Sequence, residues 1–258
     1  MYPLTAIELD EKFDLKKSIA SGHLPLTLYD NEPEEYLKGY IQTYLKEEIL
    51  QEGLTRNIGD FSRFLEIASF SQGSCLNYSE IARETSLDRQ KVTSYFNILE
   101  DLLIGYRIPV FTKKSKRKLT THHKFYYFDV GVYKSIRPKG PLDRPEEING
   151  PAYETLVLQE ILATLAYENR NDTVYFWRTN TGHEVDFIIY GENCFTAIEV
   201  KGSGTIRTAD LIGLTLFKKD YPTATCICLY IGKEKKLLNN HIQLIPIETA
   251  LQDMSWLK

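Results

Sequence analysis

The residues best suited to chemistry lie between His183 and Lys201, in the stretch HEVDFIIYGENCFTAIEVK. Two runs of β-type residues, 185–190 and 195–200, flank the turn sequence Gly-Glu-Asn at 191–193. Apolar or alternating runs on both sides of such a turn predict a β-hairpin. We therefore expect two neighbouring strands to position the polar residues that begin and end this stretch.

Four charged residues of the predicted hairpin are expected at the same end. Side chains alternate between the two faces of a strand, so Glu184 and Asp186 share a face of the first strand. Glu199 and Lys201 share a face of the second strand for the same reason. If these faces coincide, two or three carboxylates and one lysine converge. Such a cluster requires a metal, a salt bridge or a ligand, because buried charges without partners are unfavourable.

Metal-assisted cleavage of phosphodiester bonds suits this cluster. The carboxylates of Asp186 and Glu199, with the carbonyl of Val200, are the hard oxygen ligands that Mg²⁺ (or Mn²⁺) takes. A bound metal supplies a hydroxide near neutral pH, and Lys201 would position the attacking water and stabilise charge on the phosphate. The plainer alternative is a surface hairpin with a Glu–Lys ion pair, which contributes about 0–1 kcal/mol.

Asp186 and the later Glu199-Val200-Lys201 resemble the PD-(D/E)XK nuclease signature, which belongs to the restriction-endonuclease-like fold. The core of that family begins with a helix that carries a glutamate, and residues 152–165 have helical apolar spacing with Glu154 near their start. Residues 209–219 and 225–231 would supply the next helix and strand. The resemblance implies an α/β domain with a mixed central sheet over residues 139–258, a magnesium cofactor, and catalytic roles for Glu154, Asp186, Glu199 and Lys201.

Residues 74–138 carry a helix-turn-helix pattern. We expect Ser79 to cap a short helix and Asp88 to cap a second one, with Leu87 filling the turn between them. The outward side of the second helix would present polar side chains able to contact bases or phosphates, among them Arg89, Gln90 and Lys91.

Two predicted strands, 106–111 and 124–129, follow the second helix and would form the wing of a winged helix-turn-helix. Their connection carries five cations in six positions and no acid. These cations, which we expect to contact nucleic acid, are Lys113, Lys114, Lys116, Arg117 and Lys118. Winged helices also serve as protein-interaction modules, and charged runs are commonly solvated loops, so both alternatives stay open.

The first 73 residues predict a helical segment, with one helix from Pro33 to about Leu50 and another at 61–70. The chain has 258 residues, 43% hydrophobic content and a formal net charge of −4, which argues against a uniformly basic surface for nucleic acid. There is no apolar run of about 20 residues and no signal-peptide pattern. The four cysteines show no CxxC spacing, so we expect a reduced, cytoplasmic protein without membrane association.

Over nearly its whole length the chain resembles the C-terminal half of a bacterial and archaeal family of predicted AAA+-type P-loop ATPases. The resemblance depends on SGHLPLTLYD, YIQTYLKEEI, KFYYFDVGVYKSI, WRTNTGHEVDFII and AIEVKGS. It implies a helical segment, a winged helix and a nuclease-like domain after an ATPase module. The phosphate-binding motif GxxxxGK[ST] is absent from the sequence, so we expect ATP binding only through a module in cis or trans.

Two hypotheses of different classes follow. In the first, the chain is a DNA-binding, Mg²⁺-dependent nuclease module of such an ATPase. In the second, the nuclease-like fold is catalytically idle and the chain is a regulatory or partner-binding region, with the winged helix binding nucleic acid or protein. The sequence does not distinguish DNA from RNA, and it leaves oligomerisation possible.

Overall fold

The computed structural model describes residues 2–28, 30, 32–45, 47 and 57–257. The α-helices, in chain order, are α1 (Ala6–Leu9), α2 (Leu15–Ser21), α3 (Pro33–Gly39), α4 (Ile58–Ser69), α5 (Tyr78–Thr85), α6 (Arg89–Asp101), α7 (Val130–Ile136), α8 (Pro145–Tyr167), α9 (Ile212–Asp220) and α10 (Ile247–Gln252). The strands are β1 (Ser74–Cys75), β2 (Gly105–Ile108), β3 (Lys124–Tyr127), β4 (Thr173–Arg178), β5 (Glu184–Tyr190), β6 (Phe195–Lys201), β7 (Thr225–Tyr230), β8 (Lys236–Leu237) and β9 (Ile242–Pro246).

The tertiary contacts divide the chain into two compact units, each assembled from separate segments. The first unit contains Met1–Leu4, Asp14–Arg107 and Lys124–Leu156. The second contains Thr5–Phe13, Ile108–His123 and Val157–Lys258. These units cut across the three regions predicted at 1–73, 74–138 and 139–258, and that division stays a prediction.

Helices α4 to α6 of the first unit begin at residues whose side chains accept a backbone N–H. Asn57, Asn77 and Asp88 each cap a helix in this way. The cap at Asp88 confirms the prediction, whereas Asn77 and not Ser79 caps α5, because Ser79 already lies inside the first turn. Ser86 adopts φ +59° and ends α5 in the left-handed conformation, which turns the chain toward α6.

An aromatic core joins these helices to a small sheet. Phe96 of α6 packs edge to face against Phe64 of α4 and Phe125 of β3, with ring centroids about 5 Å apart. The sheet has the order β1-β3-β2, and β1 pairs antiparallel with β3. The element order in this part of the chain is therefore α4, β1, α5, α6, β2 and β3.

The predicted helix from Pro33 to about Leu50 is described only in part. It begins at Pro33 with Glu34 and Glu35 in the first turn, as expected for a helix start. After Gly39 the chain continues as a π-helix, Tyr40–Leu45. The predicted continuation through residues 46 and 48–50 lies outside the described residues.

The second unit is built on a mixed sheet of six strands in the order β4-β5-β6-β7-β9-β8. Strands β4, β5 and β6 are antiparallel neighbours, whereas β6, β7 and β9 are parallel to one another. The predicted hairpin is confirmed, with strands that begin at Glu184 and end at Lys201. The protein is thus a mixed α+β protein, and its mixed sheet was expected.

Two helices of the second unit cover this sheet. Helix α9 contacts β5, β6 and β7, and α10 contacts β7 and β9. Gly213 of α9 lies so near β5 that an added Cβ would be 1.8 Å from the carbonyl oxygen of Glu184. A glycine is therefore needed where α9 passes the beginning of β5.

The connection between β2 and β3 differs from the expected wing. Strand β2 ends at Ile108, and the next residues bond to the outer side of β4: Phe111 N–H donates to the Phe176 carbonyl (2.7 Å). Further along, Asn180 N–H donates to the Lys118 carbonyl (3.1 Å). The Phe111 side chain is buried in the core of the second unit. The predicted strand 106–111 was too long because backbone groups after Ile108 find partners in β4.

The stretch 137–151 is rich in proline and glycine, a composition typical of a loop, but its second part is helical. Helix α8 begins at Pro145 and continues through Pro151 to Tyr167. Proline is tolerated in a first turn, where its missing N–H has no intrahelical partner. At Pro151 the Thr155 hydroxyl donates to the carbonyl (2.6 Å), and the helix continues despite the missing N–H.

No helix among the described residues combines the length and the apolar character needed to cross a membrane.

Candidate active site

The end of the β5–β6 hairpin brings two carboxylates together. Phe187 pairs with Ile198 in the antiparallel register, so the next position along each strand sets Asp186 opposite Glu199. Both side chains are nearly buried, with exposed fractions of 6% and 7%. Asp186 and Glu199 therefore lie side by side at this end of the hairpin.

Short hydrogen bonds hold these carboxylates in place. The Val200 N–H donates to Asp186 Oδ2 (2.9 Å), which ties the first strand to the backbone of the second. Lys201 Nζ donates to Glu199 Oε1 (2.5 Å), and the lysine is partly exposed at the end of β6. Asp186, Glu199 and Lys201 thus form one cluster in the second unit, and we call it the hairpin cluster.

A separate ion pair lies at the end of β4 and the start of β5. Arg178 at the end of β4 is the cross-strand partner of Glu184, and Arg178 Nη1 donates to Glu184 Oε2 (2.8 Å). The expectation that Glu184 and Asp186 share a face is wrong: the register of β4 and β5 shifts between Tyr175 and Trp177, and Val185 packs in the same core as Ile188, which interrupts the alternation before Glu184. Its pairing with Arg178 was not predictable from the sequence, because no local pattern fixes the register of β4.

The buried thiol of Cys228 lies beside the hairpin cluster, and the charges of the cluster shift its pKa. Cys228 of β7 pairs with Glu199 in the parallel register. Burial is the main reason that the pKa of the Cys228 thiol is raised well above its usual range. Glu199, Asp186 and Asp210 raise it further, whereas Lys201 lowers it. Asp210, just before α9, is thus another acid of this neighbourhood, and sequence reasoning missed it.

The hairpin cluster offers a partial donor set for a divalent cation. Among the described residues, no group of three or more His, Cys, Asp or Glu side chains is arranged to hold a metal. Mg²⁺ does not require such a cage, because it retains several waters and binds through one or two carboxylates plus substrate phosphate. Asp186 and Glu199 therefore fit Mg²⁺ or Mn²⁺ in number and chemistry, with the Val200 carbonyl as a third candidate ligand.

Glu154, the fourth predicted catalytic residue, belongs to the first unit. Its carboxylate accepts a hydrogen bond from the Tyr126 hydroxyl (2.6 Å) and pairs with Lys124 Nζ (3.0 Å). Lys124 is only 1% exposed, so Glu154 serves as a counter-ion for a buried ammonium group. This contact gives Glu154 a structural role within its own unit, and its catalytic role stays a prediction.

Some predicted nucleic-acid-binding side chains of α6 are exposed, whereas others already bind another residue. Arg89 and Gln90 are exposed in the first turn of the helix. Lys91 Nζ binds Asp60 Oδ2 (2.5 Å), which raises the pKa of Lys91. Asn97, also on the outward side, accepts a hydrogen bond from Arg107 (2.7 Å).

The predicted cations of the β2–β3 connection all lie in an exposed segment of the second unit. Lys113 Nζ lies 4.2 Å from the centre of the Tyr190 ring. Arg117 Nε binds Asp220 Oδ2 (2.5 Å), and a second guanidinium nitrogen reaches the other oxygen (3.1 Å). The exposed side chains of Lys114, Lys116 and Lys118 accompany these two anchored cations.

Comparison with known families finds a match in each half of the chain. Residues 12–143, more than half of the chain, match the family described as "Domain of unknown function (DUF8612)", and the chain belongs to this family. Residues 149–250 match a second one, "Domain of unknown function (DUF4143)", a domain found in C-terminal regions associated with AAA ATPases. Searches of curated proteins and of solved structures return no match.

Proposed function

We propose that the second unit is a PD-(D/E)XK-type, metal-dependent nuclease module that cleaves phosphodiester bonds. The observation that carries this proposal is the hairpin cluster: Asp186 and Glu199 opposite each other on β5 and β6, with Lys201 at the end of the same strand as Glu199. The element order also supports it, because α8, the antiparallel β4-β5-β6, α9 and the parallel β7 follow the order of that family's core.

Each residue of the hairpin cluster has a distinct role in this proposal. Asp186 and Glu199 would hold Mg²⁺ or Mn²⁺, and a bound metal ion would supply a nucleophilic hydroxide and offset charge on the phosphate. Asp186 is oriented for this task by its hydrogen bond from Val200 N–H. Lys201 would orient the water that attacks phosphorus and stabilise the charge that develops as the P–O bond to the leaving oxygen breaks.

The first unit would supply nucleic-acid binding, with DNA as the expected partner. The order α4, β1, α5, α6, β2, β3 supports a winged helix-turn-helix, in which α6 would be the recognition helix. Arg89 and Gln90 are exposed on α6. In the second unit, the exposed Lys114, Lys116 and Lys118 would make separate, sequence-independent phosphate contacts.

We further propose that the chain works with a P-loop ATPase module in cis or trans. The similarity of residues 149–250 to a domain of AAA-ATPase-associated regions supports this partnership. ATP hydrolysis would then depend on the partner module, since the chain has no GxxxxGK[ST] motif.

A substrate panel tests the nuclease proposal. Duplex, branched and single-stranded DNA and RNA are incubated with the chain and Mg²⁺ or Mn²⁺, with and without the ATPase module. We expect cleavage by the wild type and a loss of about 10²–10³ in rate for Lys201→Ala, the usual effect of removing one preorganised stabilising group. Glu192→Gln, in the exposed turn of the same hairpin, is the control and should cleave normally.

The second candidate function is a catalytically idle, partner-binding region. The observation that favours it is the 2.5 Å bond between Lys201 and Glu199, since a surface hairpin with an ion pair explains that contact without chemistry. Equal cleavage by the wild type and Lys201→Ala would reveal a contaminating nuclease. Failure of the wild type on every substrate, with the ATPase module present, would favour the idle hypothesis.

A further inference from the structure

A basic cavity of about 270 Å³ lies in the first unit where α2, α3 and α7 meet. Its basic lining residues are Lys38 of α3, Lys134 of α7, and Arg137 and Lys139, which follow α7. Glu34 is the acidic residue of the lining. Among the described residues the lining therefore carries four cations and one carboxylate, in a chain whose net charge is −4.

The walls of this cavity are fixed by close backbone packing. A Cβ added at Gly131 of α7 would lie 2.1 Å from the carbonyl oxygen of Ser21 at the end of α2. The Asp129 carboxylate caps α7 through Val132 N–H (3.0 Å) and also accepts His23 N–H (2.8 Å). Because the segment after α2 is bonded to the start of α7, the cavity is a built feature of the unit.

Two of the four cations, Arg137 and Lys134, already donate hydrogen bonds to other residues. Arg137 donates to Asp143 Oδ1 and to the Pro138 carbonyl, both at 3.0 Å, so its guanidinium fork is committed. Lys134 Nζ donates to the neutral amide of Asn149 (2.9 Å). Burial lowers the pKa of Lys134 to about 8, and the charge of Lys139 lowers it further. An anion in the cavity would favour the charged form of Lys134.

A buried hydroxyl provides an independent indication of a ligand. Ser135 of α7 lines this cavity and also a smaller one beside α4, and its Oγ is shielded from solvent and makes no hydrogen bond to any described residue. Buried polar atoms are rarely left without a partner. An acceptor atom in the cavity would satisfy this hydroxyl.

We propose that this cavity binds the phosphate group of a small ligand, with Lys38, Lys134 and Lys139 as its cationic contacts and Ser135 as a hydroxyl donor. A phosphate matches the lining better than a carboxylate, because lysines bind phosphate as point charges, whereas a carboxylate prefers the fork of an arginine. Arg137 offers its fork to Asp143 instead. A cavity of about 270 Å³ lies just below the range of drug-sized sites, about 300–1,000 Å³, and so suits a pyrophosphate or a small phosphate ester.

Calorimetric titration of the full chain with inorganic phosphate and pyrophosphate, at constant ionic strength, tests the proposal. We expect saturable binding, tighter for pyrophosphate, and a loss of about tenfold or more in affinity for Lys134→Gln, the effect of removing one charge-assisted hydrogen bond. Lys16→Gln makes the same change of charge on the exposed side of α2 and should bind like the wild type.

The remaining arms of the experiment identify the source of the phosphate. A 5′-phosphorylated oligonucleotide that displaces pyrophosphate, when its 5′-hydroxyl counterpart does not, would assign the site to a nucleic-acid end. Lack of displacement would assign it to a free small ligand. Circular dichroism shows whether Lys134→Gln folds. If it does not, the same titration is done with Lys38→Gln and Lys139→Gln, whose side chains are exposed. No saturable binding, or unchanged affinity in the folded lysine variants, would overturn the proposal.

Discussion

The two units each place carboxylates near a lysine, but they do so in opposite ways. In the first unit Glu154 faces one fully buried ammonium group, that of Lys124, and also accepts the Tyr126 hydroxyl. In the second unit two carboxylates, Asp186 and Glu199, share the cluster with Lys201, which is partly exposed at a strand end. The first arrangement pairs a buried lysine with a partly exposed carboxylate. The second combines an excess of acids within the trio with access to solvent.

This difference indicates how charged residues with a structural role can be distinguished from charged residues that bind a ligand. Removing one member of a buried ion pair destabilises the folded protein, because the other charge is left without a partner. Such a pair therefore has a structural role. A cluster with more acids than bases, open at one side, is suited to receive a cation or a substrate. The predictions that follow test this distinction, from the largest expected effect to the smallest.

The strongest test removes the matched charge in the first unit. Glu154→Gln should lower the free energy of unfolding by about 3–5 kcal/mol, because the buried Lys124 ammonium group loses its counter-charge. Chemical denaturation measures the loss. The double variant Lys124→Met/Glu154→Gln should recover most of it, since no buried charge is left. If Glu154→Gln unfolds like the wild type while cleavage disappears, the structural assignment of Glu154 is wrong and the catalytic one gains support.

Glu160 shows another way in which an acid is tolerated in the interior. Glu160 of α8 accepts Ala6 N–H (2.8 Å), and burial raises its pKa to about 8. Its folded-state pKa lies above the unfolded value, so its contribution to stability is full below about pH 4.5 and is lost as the pH rises toward 8. Glu160→Gln should flatten this decline, which is on the order of a few kcal/mol.

Thermal or chemical unfolding at several pH values between 4 and 9 measures the effect of Glu160→Gln. Glu146→Gln, at an exposed position near the start of the same helix, is the control and should keep the wild-type pH profile. A Glu160→Gln profile as steep as that of the wild type would mean that another group titrates in this range.

Metal titration tests whether the carboxylates of the hairpin cluster bind a divalent cation. A ligand at about 100 times its Kd stabilises a folded protein by about 2.7 kcal/mol, so Mg²⁺ or Mn²⁺ should raise the unfolding temperature of the wild type. Asp186→Asn should lose this increment, whereas Glu192→Gln in the hairpin turn should retain it. A metal-induced increment that survives in Asp186→Asn would exclude Asp186 as a ligand.

The smallest expected effect concerns the exposed cations of the second unit. Lys114, Lys116 and Lys118 are replaced with serine. The slope of the logarithm of the duplex-binding constant against the logarithm of the salt concentration should then become shallower by up to about 0.9 for each lost phosphate contact. Arg117 is left in place because it is bonded to Asp220. Serine at Lys219, Lys233 and Lys235, which are also exposed, provides the control. Absent duplex binding at low salt would move the first unit into the class of protein-interaction modules.

Local patterns were sufficient to predict the hairpin and its cluster. Alternation of side chains along two strands, joined by a Gly-Glu-Asn turn, set Asp186 and Glu199 on one face. The cap at Asp88 was equally local. In each case the physical cause acts within about a dozen residues, so the sequence contains it.

Features that depend on distant partners were not predicted. The pairing of Lys124 with Glu154 joins residues 30 positions apart and leaves no local pattern. Strand β9 was missed because Ile242–Pro246 is short and ends in proline, and its place beside β7 is set only by the folded sheet. The cavity lined by Lys134 and Lys38 likewise exists only after α3 and α7 have met.

The anchoring of Phe111 beside β4 has a consequence for how such chains are inherited and recombined. Residues 108–123 fall inside the match to the first family, yet they complete the core of the unit that contains the second. A gene fragment that starts after residue 148 would encode every strand of the large sheet but omit the segment that covers its outer edge. The point where the two family matches meet in this chain is therefore a poor place to cut, because a fragment that begins there leaves the outer edge of β4 without the segment that bonds to it.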